Sequence, residues 1–124
     1  MASTKSATAV RNSYTLVKDQ AEFAQTSSAV DLTDGYGAVI SIKVTNGGTA
    51  PTLPAKVRIQ TSEDNSEWYN FGGAFVANLG NSVVTSWGSN EIPMGTQYVR
   101  TQSGGNTDQD VTLDIDVSEV TAVQ

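Results

Sequence analysis

The sequence contains no cysteine and no histidine. The first absence excludes disulfides, thiolate nucleophiles and cysteine-ligated zinc. The second excludes the Ser-His-Asp triad, the commonest general base and nearly every transition-metal site. Charge is scarce as well. Charged residues make up 16% of the 124 positions, against about a quarter in an ordinary soluble domain. The balance is acidic, with a formal net charge of −6. Nucleic-acid binding needs a basic surface that displaces counterions, so no nucleic-acid partner is expected. No run is apolar enough to span a membrane, and "MASTKSATAVRNSY" lacks the apolar core of a secretory signal. No membrane partner and no export are expected.

What fills the space is Ser, Thr, Asn and Gly, a mix that favours strands and turns. Residues 1–12 are small and polar without a period, which predicts a flexible or extended N-terminal arm. Residues 13–124 predict one domain with a period of two. Ala38, Ile40, Ile42 and Val44 share one strand face, with Ser41, Lys43 and Thr45 on the other. Val57 and Ile59 alternate with Lys56, Arg58 and Gln60. Val111, Leu113, Ile115 and Val117 alternate with Thr112, Asp114, Asp116 and Ser118. Asn46-Gly47-Gly48 reads as a turn needing positive φ, and Gly72-Gly73 as a bulge. The stretch from Val17 to Gln25 is the best helix candidate. About eight short strands separated by turn signals predict an all-β fold. The architecture expected is an antiparallel β-sandwich, jelly-roll or immunoglobulin-like.

The richest stretch is "VRIQTSEDNSEWYNFGG", Val57 to Gly73. Ser62, Asp64 and Asn65 have local reasons to form its turn, because their side chains bond nearby amides. Trp68 is expected to anchor the core, which leaves Tyr69 on the opposite face for a partner. A sugar-stacking platform of Trp68, Tyr69 and Trp87 is the alternative. The carboxylates Glu63, Asp64, Glu67, Asp108, Asp110, Asp114 and Asp116 lack the loop pattern of a calcium site. Asp114 and Asp116 share a face but stand about 7 Å apart along the strand. They predict a solvated surface, with no metal, no other cofactor and no catalytic pair. Tyr98 and Arg100 also share a face. Arg100 is expected either to meet a partner carboxylate or to pair with Asp114 or Asp116.

The Ser62-x-Asp64-x-x-x-Trp68 hairpin resembles one in small β-sandwich head decoration (cement) proteins of tailed bacteriophages. "EIPMGTQYVR" and "NTDQDVTLDIDVSEV" follow the same pattern, so the resemblance covers roughly Tyr36 to Val120. Discoidin-like sugar-binding sandwiches share the Ser-x-Asp and Trp elements. The resemblance implies a structural virion protein on the outer capsid surface, without catalytic residues. Its partners would be the major capsid protein and further copies of itself, as a homotrimer or homodimer. Tyr69, Trp87, Tyr98 and Arg100 are the interface candidates. The alternative is a carbohydrate-binding or host-recognition module of a phage head or tail fibre.

Overall fold

The structure, a computed structural model, describes residues 3–32 and 36–123. Nine strands run through them: β1 (Ser3–Leu16), β2 (Gln25–Thr26), β3 (Val30–Asp31), β4 (Ala38–Asn46), β5 (Lys56–Ser62), β6 (Tyr69–Val76), β7 (Val84–Ile92), β8 (Tyr98–Gly104) and β9 (Val111–Val123). They form two antiparallel sheets. The first has the order β1-β9-β4-β7, and the second β2-β8-β5-β6 with β3 also on β8. The expected all-β sandwich is observed.

Alternation creates the core. Ala38, Ile40, Ile42 and Val44 of β4 face inward beside Val111, Leu113, Ile115 and Val117 of β9, all buried. Val57 and Ile59 of β5 and Val99 of β8 meet them from the second sheet. Each fully buried aliphatic side chain stabilises by roughly 1.5–3 kcal/mol relative to exposure. Phe71, Phe75 and Trp87 close the seam between β6 and β7. The Phe75 and Trp87 rings are 5.3 Å apart and tilted by 50°. At the opposite seam, Arg11 Nη2 donates to the Thr26 carbonyl at 3.1 Å, and the Tyr14 hydroxyl donates to Gln25 Oε1 at 3.1 Å.

Two expectations need correction. The segment from Val17 to Gln25 is not a helix. Asp19 and Phe23 take positive φ, of 61° and 59°, and the chain turns through Ala21–Ala24 into β2. The N-terminal arm, expected to be flexible or extended, is extended, and its strand runs on past residue 12. β1 is one strand paired with β9 from Ser3↔Val123 to Leu16↔Val111, and Met1 and Ala2 lie outside the described residues. Its β9-facing edge is therefore already occupied. Asn46-Gly47-Gly48 bends without positive φ. Here Asn46 fixes the turn, its buried amide donating to the Asn78 and Gly80 carbonyls at 3.0 and 2.9 Å. The bulge at Gly72-Gly73 is present. Between the pairs Val57↔Phe75 and Ile59↔Phe71, β6 gains residues that β5 lacks, and Gly72 has φ +74°.

This packing separates core from surface sharply enough to test. Leu113→Ala is expected to cost about 2–5 kcal/mol through transfer and cavity terms. Tyr69→Ala, at a side chain 61% exposed, is expected to stay within about 0.5 kcal/mol. Urea denaturation midpoints distinguish the two, and equal losses would contradict the core assignment.

Candidate functional site

The hairpin turn is built as its residues suggest. Ser62 Oγ accepts from the amides of Asp64 and Asn65 at 3.3 and 3.0 Å. Asp64 Oδ1 accepts from the amides of Ser66 and Glu67, both at 2.9 Å. Asn65 adopts φ 60°, which its short polar side chain tolerates. The backbone donors of Glu67 and then Ser66 hold the Asp64 carboxyl below its ordinary value. Tyr69 donates to Glu67 Oε2 at 3.1 Å, and that bond pushes the phenol up.

Trp68 does not anchor the core. It is half-buried just before β6, and its ring lies under a guanidinium, with Arg100 Cζ 4.1 Å from the centroid. The reason is register. β6 resumes pairing at Thr61↔Tyr69, and Phe71 and Phe75 are the aromatics packed against the core.

Arg100 belongs to a row on the outer face of the second sheet. Tyr98, Arg100 and Gln102 point outward from β8, and Lys56, Arg58 and Gln60 from β5. Arg58 stands opposite Gln102, and Arg100 opposite Gln60. Gln102 Oε1 accepts from Arg58 Nε and Nη2 at 2.8 and 2.5 Å. Gln60 Oε1 accepts from Arg100 Nε at 2.9 Å, while the Gln60 amide donates to Asn70 Oδ1 at 3.0 Å. Arg58 is also stacked, its Cζ 4.3 Å from the Phe23 ring centroid. Such a contact contributes about 0.5–1 kcal/mol at an exposed site and more when desolvated.

A glycine lets Phe23 reach that position. Gly104, at φ +146°, lies against the Ala21–Ala24 turn, and a Cβ there would stand 2.6 Å from the Ala21 carbonyl oxygen. The turn can therefore close over the end of β8 and set the Phe23 ring on Arg58.

The charge pattern of the face is unusual for an acidic chain. Lys56 pairs with Glu22 at 2.6 Å. Among the described residues no carboxylate lies within ion-pair distance of Arg58 or Arg100. Burial, and then the like charge of Arg58, hold the Arg100 guanidinium below its ordinary value. It stays charged all the same. The expected alternative for Arg100, a pair with Asp114 or Asp116, does not form because β8 and β9 belong to different sheets. Asp114 instead accepts from the Ser13 amide at 2.8 Å and stands opposite Lys43. Asp116 is exposed. Both border a shallow depression of about 310 Å³ on the outer face of the first sheet. Among the described residues no three acidic side chains converge as metal ligands would.

Of the interface candidates, Tyr98 and Arg100 share the outer face of the second sheet, with Tyr69 at the start of β6 beside it. Trp87 stands apart, at the β6–β7 seam. Sequence reasoning missed the roles of Phe23, Gln60 and Gln102. The outward alternation of Arg58 and Gln60 was the one available signal. Phe23 carried none, because it reaches the sheet through a turn.

The Asp64 network has a definite pH signature. A carboxyl held low in the folded state adds stability that is present above its unfolded value. That stability disappears as pH falls through the folded one. The contribution is therefore expected to be constant above about pH 4 and to vanish below it. Thermal midpoints of the parent chain should fall more steeply below that pH than those of Asp64→Asn. Parallel profiles would contradict the network.

No protein-family model matches the chain, and no curated protein sequence matches it. Solved structures do. A chain in the structure of infectious bursal disease virus, Gx strain, aligns with TM-score 0.55 and 10% identity over 98% of this chain and 33% of that one. The SPBc2 prophage-derived protein YomS aligns with TM-score 0.49 and 12% identity over 96% of each chain. The K3 cleaved adhesin domain of Lys-gingipain from Porphyromonas gingivalis w83 aligns with TM-score 0.47 and 18% identity. That match covers 76% of this chain and 62% of the adhesin domain. The chain thus spans about a third of the virus chain, and what it shares with that chain is the β-sandwich fold.

Proposed function

We propose that this chain is a structural protein of a bacteriophage particle, a capsid decoration subunit on the outer surface of the shell. Its partners would be the major capsid protein and, in a homotrimer or homodimer, its own copies. The observation that carries the reading is the outer face of the second sheet. Two guanidiniums are held there by Phe23, Trp68, Gln60 and Gln102, with no carboxylate among the described residues to neutralise them. Arg, Trp and Tyr are the side chains most enriched where protein surfaces bind tightly. The resemblance of the Ser62–Trp68 hairpin to those of cement proteins supports the same reading. The likeness to the virus chain supports it at the level of fold.

The physics suits a repeated lattice. Many weak contacts made over a shell reach an avidity that no single interface has. A surface of Ser, Thr, Asn and Gln side chains makes broad polar contacts at small desolvation cost. Rigid stacking of Arg58 and Arg100 lowers the entropy lost when each meets a partner.

Co-sedimentation with purified capsids of the encoding phage is the direct test. The parent chain is expected to bind, and Arg58→Ala with Arg100→Ala to weaken binding by about tenfold or more. A strictly monomeric chain that fails to sediment with capsids would sink the proposal. Glycan binding that Trp68→Ala abolishes, without capsid binding, would replace it with host recognition.

A further inference from the structure

The outer face of the second sheet carries more information than its charge. Arg58 and Arg100 sit diagonally on neighbouring antiparallel strands, one opposite Gln102 and the other opposite Gln60. Diagonal neighbours in such a pair are about 7–8 Å apart. Alternate residues of an extended strand project from one face with a spacing of about 6.5–7 Å. The two spacings match.

Each guanidinium also keeps bonding capacity. Arg58 uses Nε and Nη2, and Arg100 uses Nε, each on the neutral oxygen of a glutamine. Their remaining N–H groups have no other acceptor among the described residues. A carboxylate makes a charge-assisted bond roughly twice as strong as a neutral amide does. Where a carboxylate does reach this face, it is taken. Glu22 pairs with Lys56, two residues before Arg58 on the same outward row.

Phe23 adds an independent observation. It holds φ 59°, a conformation rare for a bulky side chain and usual for Gly or Asn at a turn. Backbone strain of this kind gathers at functional positions. Its visible result here is an aromatic ring laid on Arg58.

We infer that Arg58 and Arg100 form a docking site for an extended acidic segment of a partner protein, one bearing carboxylates on alternate residues. The carboxylates meet the two guanidiniums one to one, and stacking on the Phe23 and Trp68 rings fixes where those guanidiniums stand. This chain has such a pattern itself, at Asp114 and Asp116. A copy docked there through its first sheet would stack sandwich on sandwich in an open, heterologous series. But Asp114 and Asp116 sit on β9, which is paired on both sides, and Asp114 already accepts from the Ser13 amide, so a copy has no free extended segment to offer there. The occupant is therefore a different protein. The inference rests on the reading of this face as an interaction surface, and it does not depend on which particle carries it.

The test uses the ¹⁵N-labelled full chain and three capped pentapeptides: Val-Asp-Thr-Asp-Val, Val-Asp-Asp-Thr-Val and Val-Asn-Thr-Asn-Val. The Arg Nε–H resonances of Arg58 and Arg100 are expected to shift with the first peptide while that of Arg11 stays still. The adjacent-Asp peptide should bind about fivefold or more weakly, and the Asn peptide not at all. Arg58→Gln with Arg100→Gln should abolish the shifts with the fold retained. Phe23→Gly should keep or raise the melting temperature yet weaken peptide binding, an outcome that a purely structural role for Phe23 does not give. Equal affinity for the alternating and adjacent peptides, or no shift, would overturn the site. Self-association abolished by Asp114→Asn and Asp116→Asn, with the peptides inert, would overturn it in favour of a second copy. Peptide binding without capsid binding counts against the virion reading alone; capsid binding without peptide binding counts against this site alone.

Discussion

The antiparallel pairing of β4 with β9 is the constraint on which the rest of the molecule depends. It runs from Ala38↔Glu119 to Asn46↔Val111 and puts eight aliphatic side chains into one inward layer. A slip of one residue would turn that layer out to solvent. The register is therefore fixed by burial, and it carries other things with it. β1 must pair on the free side of β9, and β7 on the free side of β4. The second sheet completes the interior with Val57, Ile59 and Val99, and with Phe71 and Phe75 packed against the core.

Because the core is aliphatic and sits between the sheets, the chain's arginines are left for surfaces and seams. Each guanidinium lies over a ring: Arg11 on Tyr14 at 4.0 Å, Arg58 on Phe23 and Arg100 on Trp68. Arg11 serves the seam between β1 and β2, where its Nε is buried with no hydrogen-bond partner among the described residues. Arg58 and Arg100 instead face outward. Three uses of one contact thus divide into one that closes the sandwich and two that present charge. Stacking suits this composition. In a chain with few charges, a cation held by an aromatic face and an amide oxygen is fixed without a neutralising carboxylate.

Legibility followed the range of the interaction. Strands β4, β5, β8 and β9 could be read because alternation is local and its physical cause is burial on one face. The turn at Ser62–Glu67 could be read because its bonds span only two or three residues. The helix assigned to Val17–Gln25 failed because its apolar spacing was weak. Two residues there take positive φ to turn toward the second sheet. Trp68 was misplaced for a related reason. Alternation gives the two faces of a strand, but Trp68 precedes the first paired residue of β6, so the rule did not apply to it. The Phe23–Arg58 and Trp68–Arg100 contacts join residues 35 and 32 positions apart in the chain, as their numbers show. No local pattern encodes such pairs.

The edges of the sheets explain why a face, rather than a strand edge, is the better surface for recognition. An open edge pairs with any extended chain and is a hazard for a soluble protein. Here β6 is kinked at Gly72-Gly73. β7 is interrupted between Ile40↔Asn90 and Ile42↔Trp87, with Ser89 at φ 58°. β1 changes register at three points along its pairing with β9. Each irregularity shortens the straight run that a foreign strand could join. Backbone pairing also carries little sequence information, whereas side chains held on a face by the register can discriminate between partners. A sandwich that blunts its edges and fixes two cations on one face therefore leaves side chains, rather than backbone, as the groups it offers to a partner.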